Sequence, residues 1–481
     1  MPSLTRRRLL LGLAATPLAY TLACSGPGRP QSAPSTRPLP IPPLADSTVG
    51  QDGTRHFTLR AMAGDSEMVR GTRTATWGFN GPVLGPTLRA RRGESVAVSV
   101  ENRLPEPTTV HWHGMHLPAR CDGGPHQPIP PGGDWNPQWT IRQPAATLWY
   151  HPHPHGATEK HLYRGLAGLF IVDDEPTADL PDEYGVDDIP LIIQDRRFTA
   201  TGALDESVPS DIGLLGDTLL TNGVAHAHLT VHTERVRLRI LNGSSGRLYN
   251  LGFGDDREFH LVGSDGGLLA APVAVTRVQL SPGERVEIIV AMRPGETVLL
   301  QSFPIANWAG LAAAEASRFG VHESFDVLRL DAADTLQSNA ALPAMLATLP
   351  AIPPTASVQR SFDLQWFMIN RNRMDMDRID FQSEVGTDEI WTVRNVDNWP
   401  HNFHVHDAQF RIVDIDGSPP PAELAGFKDT VYTPPGQRLR LALRFTDYTD
   451  PTFTYMFHCH LAMHEDHGMM GQFLVVDHAM R

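Results

Sequence analysis

His458-Cys459-His460-Leu461-Ala462-Met463-His464-Glu465-Asp466-His467-Gly468-Met469 carries four histidines, a cysteine and two methionines in twelve residues. If His458 to His460 run extended, side chains alternate, so Cys459 faces one way and both histidines face the other. A thiolate, a histidine five residues on (His464) and a thioether five beyond that (Met469) are three ligands of a blue copper site. His458 and His460 would then serve a second metal site behind the strand. Three consecutive residues would join the two sites covalently, which suits electron transfer.

Histidine clusters recur elsewhere. With 22 histidines in 481 residues, random placement gives roughly one His-x-His pair, and this chain has six. They lie in His111-Trp112-His113, His151-Pro152-His153-Pro154-His155, His226-Ala227-His228, His404-Val405-His406 and His458-Cys459-His460. In Trp399-Pro400-His401-Asn402-Phe403-His404-Val405-His406, the pair His404 and His406 shares one face of an extended strand, and His401 faces the other. His401 can therefore join Cys459, His464 and Met469. His404 and His406 can join His458 and His460. With His111, His113, His151 and His153 this leaves eight imidazoles, too many for one ion and suited to a cluster of several copper ions.

The rest of the chain supplies the frame. Composition is that of a globular protein, 41% hydrophobic and 20% charged. A net charge of −14 argues against a nucleic-acid partner. Short alternating runs such as Val96 to Val100, Val236 to Leu241, Glu284 to Val290 and Arg438 to Phe445 are separated by Gly and Pro turns, which predicts β-sandwiches. A motif repeats: Arg91-Arg92-Gly93-Glu94-Ser95-Val96 near one end and Val385-Gly386-Thr387-Asp388-Glu389-Ile390 near the other, with Pro282-Gly283-Glu284-Arg285 read as the middle copy.

At the N-terminus, Arg6-Arg7-Arg8 leads into the apolar run Leu9 to Leu22. That pattern predicts an export signal over 1–24, similar to the twin-arginine type, and hence a periplasmic or cell-surface location. Cys24, in Thr21-Leu22-Ala23-Cys24, resembles a lipoprotein processing site and is the candidate lipid anchor, although Thr21 fits that pattern poorly. Cys121, left without a partner, reads as a buried thiol. Residues 25–48, rich in Pro, Ser and Arg, read as a disordered tether.

The four histidine clusters resemble those of the multicopper oxidases, and the resemblance runs over essentially all of the chain beyond the signal. The acidic and Pro-rich linkers Asp173 to Pro181 and Leu342 to Thr355 divide the chain at 49–175, 176–345 and 346–481, and the resemblance implies an all-β chain of three cupredoxin-like Greek-key sandwiches there, with no copper in the second. It implies four copper ions. The type 1 ion would be held by His401, Cys459, His464 and Met469, and the type 2 ion by His111 and His404. The type 3 pair would take His113, His151 and His460 on one ion, and His153, His406 and His458 on the other. Asp122 and Glu465 match carboxylates that deliver protons to dioxygen, work that consumes four protons in a buried site. Trp399 resembles the position of a tryptophan near the type 1 site of bilirubin oxidases, so Trp399 and His464 are the expected substrate contacts.

The implied activity is that of a laccase-like oxidase, probed with phenols, aromatic amines or tetrapyrroles as reductants and dioxygen as acceptor, in a monomer. A cuprous or other metal oxidase of copper tolerance is the first rival, disfavoured because no methionine-rich insert is present. Met374 and Met376 are expected to pack or cap a turn rather than bind metal. A second rival is an exported cell-division protein of the same fold, a group that has lost copper ligands; here every ligand position is filled. His155, His226, His228 and His232 are expected to bind no metal.

Overall fold

The computed structural model describes residues 36–174, 179–207, 211–353 and 355–477. The expected export signal and Cys24 lie outside them. Among the described residues no helix is long and apolar enough to cross a membrane.

Strands dominate and pair into six sheets, two for each of three successive sandwiches. The alternation seen in sequence is the alternation of burial: Ser95–Asn102 turns Val96, Val98 and Val100 inward, and Arg438–Arg444 does the same with Leu439, Leu441 and Leu443. Each sandwich closes over its own apolar core, as a two-layer β fold requires. Trp112, Trp139 and Phe170 fill the first, Tyr249, Phe253 and Phe259 the second, and Trp391, Phe403, Phe457 and Phe473 the third. Leu346 packs in the second core, one residue beyond the boundary expected at 345.

The three sandwiches share a parallel pairing that identifies equivalent strands. Arg55–Ser66 runs beside Ser95–Asn102, Asp188–Arg196 beside Arg235–Asn242, and Val358–Gln365 beside Asp388–Asn395. The middle counterpart of the repeated motif is therefore Arg235–Asn242. Pro282-Gly283-Glu284-Arg285 instead opens the antiparallel neighbour, Arg285–Ala291, and matches Pro435-Gly436-Gln437-Arg438 ahead of Arg438–Arg444. Both turns place a glycine at positive φ, 86° at Gly283 and 75° at Gly436. Similar turn chemistry at two different corners of the fold misled the sequence assignment.

Of the tether expected over 25–48, residues 36–48 lie among those described, and they are ordered. Arg37–Pro38 adds a short parallel strand to Ala227–Thr233, and Ser47–Val49 pairs with Arg55–Ser66. Proline fixes φ and removes a donor, but at a sheet edge neither prevents pairing. The same composition that reads as a disordered linker therefore also serves as an edge strand.

Buried ion pairs fix the middle sandwich against the other two. Arg285 donates to Asp429 of the third sandwich (2.6 Å) and to the Thr147 carbonyl of the first (3.0 Å). Arg239 bridges Asp188 (2.6 Å) and Glu287 (3.0 Å), and Glu287 accepts from the Thr147 hydroxyl (2.6 Å). Breaking one partner of such a pair strands the other charge, a cost of about 3–5 kcal/mol. The middle sandwich thus sets the register between the two that carry histidines.

Candidate metal centre

Cross-strand pairing assembles the clusters. His111–His113 lies antiparallel to Ala146–His151, opposing His111 to His151 and His113 to Trp149. In the third sandwich His404 opposes His458. The two sandwiches bring these strands face to face, and all eight histidines are buried.

Which ring nitrogen each presents follows from its other hydrogen bond. A carbonyl only accepts, so a nitrogen bonded to one must carry the proton. His111 Nδ1 donates to the Asp122 carbonyl (2.9 Å), His404 Nδ1 to the Asp429 carbonyl (2.8 Å), His151 Nδ1 to the Pro152 carbonyl (2.9 Å) and His458 Nδ1 to the Cys459 carbonyl (3.1 Å). His406 Nδ1 donates to the Asp122 carboxylate (2.7 Å), and His113 Nε2 to the Asp429 carboxylate (2.9 Å). Burial holds His113, His151, His153, His404, His406 and His458 well below the usual imidazole range, and His460 at about 3, so these rings are neutral. A neutral ring has one N–H, and in His113, His151, His404, His406 and His458 a hydrogen bond already commits it. The opposite nitrogen of each of these rings is bare.

His458 Nε2 meets His153 Nε2 and His406 Nε2, each at 3.1 Å. His151 Nε2 meets His113 Nδ1 and His460 Nε2, each at 3.4 Å. His111 Nε2 and His404 Nε2 are buried without hydrogen-bond partners among the described residues. Lone pairs converging in a dry interior repel unless a cation lies between them. The donor set therefore fits metal ions: His153, His406 and His458 converge, His151 Nε2 stands between His113 and His460, and His111 groups with His404 and His406.

Cys459 faces away from this cluster, as parity required. Its Sγ lies 3.7 Å from His401 Nδ1 and 3.7 Å from His464 Nδ1, and these two nitrogens are 3.2 Å apart. His401 Nε2 is turned to the Asp397 carboxylate at 3.2 Å, leaving Nδ1 for a metal. Burial pushes the Cys459 thiol up to about 12. Only a bound cation would displace that proton at neutral pH. Met469 shares the apolar core around Cys459, its N–H donating to the His464 carbonyl (3.0 Å) and its carbonyl accepting from the Cys459 N–H (3.1 Å). Met470 begins the next strand, opposite His458.

The two expected acids occupy different sides of the cluster. Asp122 Oδ2 takes the His406 bond, while Oδ1 is buried without a hydrogen bond, 3.4 Å from His111 Nδ1. Glu465 lies within 3.2 Å of His153 Nδ1 and 3.3 Å of His458 Nδ1, and accepts from the Thr158 hydroxyl at 2.6 Å. Burial, and then the charge of Asp466, raises Glu465 well above the carboxylate range, so it holds a proton to give. One turn of the helix Ala462–Asp466 places His464 at the cysteine site and Glu465 at the cluster.

His464, expected to meet substrate, is completely buried. Trp399 stacks on its ring at 5.9 Å and 30°, and Phe367 meets it edge-on at 5.5 Å and 71°. Contact with a reductant must pass through these covering aromatics.

Several supporting residues carry no motif. Asn402 Oδ1 accepts from the His460 N–H (2.5 Å) and lies 3.6 Å from Cys459 Sγ, while its amide donates to the Pro282 carbonyl (2.8 Å). Asp429, held by Arg285, orients both His113 and His404. Gly283 lies so close to His460 that a Cβ there would sit 3.1 Å from the ring. The one legible signal was lysine scarcity: Lys428, one of only two lysines in the chain, is buried between Asp265 (2.9 Å) and Glu284 (3.0 Å), beside Asp429.

Two family models, each described as multicopper oxidase, match this chain, one over residues 61–177 and the other over 348–479. A multicopper oxidase of Staphylococcus haemolyticus is 34% identical over 447 residues, covering 91% of this chain and 92% of its own. The cell division protein FtsP of Sodalis glossinidius is 38% identical over 485 residues, 98% of each chain. Among solved structures, a laccase from Pediococcus acidilactici superposes with a TM-score of 0.83 at 32% identity, covering 93% of this chain and 95% of that one.

Proposed function

Since the chain belongs to the multicopper oxidase family, we propose that it is a laccase-like enzyme that oxidises aromatic reductants one electron at a time and reduces dioxygen to water. The observation that carries this reading is the junction His458-Cys459-His460, which joins a thiol-and-imidazole site to a cluster of bare imidazoles. Four copper ions in these sites would supply one-electron acceptance and dioxygen reduction. The chain's own contribution is positional and protonic. Carbonyls and carboxylates behind each ring fix the ligating nitrogen. Asp122 and Glu465 flank the cluster from opposite sides and can pass protons to it. Export through the signal over 1–24, a lipid anchor at Cys24, a monomeric state and domain limits at 49–175, 176–345 and 346–481 belong to the same proposal.

A second reading, a role in cell division without turnover, has the likeness to FtsP in its favour. Against it stands the full set of oriented donors. Oxygen uptake by copper-loaded protein with phenols, bilirubin, cuprous ion and ferrous ion decides. Uptake with phenols supports the laccase reading, and uptake with cuprous ion alone supports metal oxidation. No uptake with any reductant refutes both oxidase readings.

The axial position is tested by Met469→Leu. A thioether donates electron density and favours the oxidised ion; leucine cannot, so the reduced ion gains. The blue colour is expected to persist while the type 1 potential rises by about 59 mV for each tenfold gain of the reduced form. Redox titration checks this, with Met470→Leu as the control that leaves the potential unchanged.

A further inference from the structure

Trp366 has no part in the chemistry above, yet its placement is unusual. Val358–Gln365 and Met368–Ile369 form a hairpin in which Gln365 pairs with Met368, leaving Trp366 and Phe367 as its two-residue tip. Trp366 adopts φ 54° and is 56% exposed. A bulky side chain in the left-handed region is strained where glycine would not be. A large apolar ring held there in solvent is doubly unfavourable.

The tip is fastened to the cysteine site. The Trp366 N–H donates to the Asp397 carboxylate, and the same oxygen lies 3.2 Å from His401 Nε2. The indole of Trp366 stacks on Trp399 (6.5 Å, 23°), and Trp399 stacks on His464 (5.9 Å, 30°). Exposure falls along this series from exposed to half-buried to buried. Arg373, exposed and without an ion pair among the described residues, places its guanidinium 5.7 Å from the Phe367 ring.

We infer that Trp366 is the docking platform for planar aromatic reductants, those with an anionic substituent above all, and the outer end of an electron path through Trp399 to His464. The inference rests on the oxidase reading. A phenol stacked on Trp366 would give up one electron, and a copper(II) ion held by His401, Cys459 and His464 would take it, becoming copper(I). The phenolic proton would leave to solvent, and the phenoxyl radical would depart. The stacked face supplies binding and electronic contact, and Arg373 supplies the charge that favours carboxylated rings.

The test uses copper-loaded protein and two aromatics that are not oxidised, benzoate and benzyl alcohol, with binding measured by calorimetry. Trp366→Gly suits the backbone, so its melting temperature should equal or exceed that of the parent. It should weaken benzoate binding by about tenfold and lower kcat/KM for phenols by a similar factor, with the type 1 absorption spectrum unchanged. Trp366→Phe should restore binding to within about twofold, and benzyl alcohol should bind the parent more weakly than benzoate. If benzoate binds Trp366→Gly as it binds the parent, the docking site is elsewhere and the inference is overturned. If no reductant supports oxygen uptake while benzoate binding still depends on Trp366, the oxidase reading fails and the aromatic site stands.

Discussion

Replacing Cys459 with serine is expected to abolish the intense visible band and to lower turnover of phenols by about 10³-fold or more, as when every turnover passes through the group removed. Among the described residues Cys459 is the one cysteine beside His401 and His464: Cys121 is buried in the first sandwich with its Sγ 3.4 Å from the Gln138 carbonyl. Serine fits the space but keeps its proton, so the site loses both its charge and its soft ligand. The cluster behind it keeps all eight histidines, and their hydrogen bonds do not involve the sulfur. Copper should therefore still load there, reaching three ions per chain where the parent is expected to take four. Visible absorption and copper analysis check both halves. A serine variant that stayed blue would refute the site.

The outcome separates what is local in sequence from what is not. His401, His404, His406, His458, Cys459 and His460 were legible because strand parity alone sorts them into two faces. His111, His113, His151 and His153 were legible because their spacing is far from chance. The residues that aim them were not. Asp429, Asn402 and Arg285 are common types, remote in sequence from rings they support, and they act only once distant strands meet; Asp397 lies four residues from His401 but carries no motif. The middle sandwich looked inert because it offers no ligand. Its turn at Gly283 to Arg285 nevertheless packs against His460 and holds Asp429. The covering of His464 was hidden for a related reason. A Trp-Phe pair in a hairpin tip reads as ordinary core, and a bulky residue at positive φ leaves no trace in composition.

Asp122→Asn is the second large effect expected, and it falls on dioxygen rather than on the reductant. Asp122 precedes Gly123-Gly124, so it could serve a turn there as well as carry protons. The turn itself rests on Gly123, whose φ is 78° and where a Cβ would lie 1.7 Å from the Val110 carbonyl. The Asp122 carboxylate is not spent on that turn. It takes the His406 Nδ1–H at 2.7 Å and leaves its other oxygen buried and free of hydrogen bonds among the described residues, 3.4 Å from His111 Nδ1. Asparagine can still accept from His406 through its amide oxygen, so the ring orientation should survive and the cluster should load. What disappears is a group able to gain and release a proton, which is worth about 10²–10⁴-fold in a step that depends on it. Anaerobic reduction of the blue site by substrate should keep the parent rate to within about twofold, since that site is not altered, while reoxidation by dioxygen slows by about 10²-fold. Asp122→Ala removes the hydrogen bond as well and should lose copper from the His153, His406 and His458 group. Stopped-flow reoxidation at the parent rate in the asparagine variant would reduce Asp122 to a positioning residue for His406, and leave Glu465 to supply the protons.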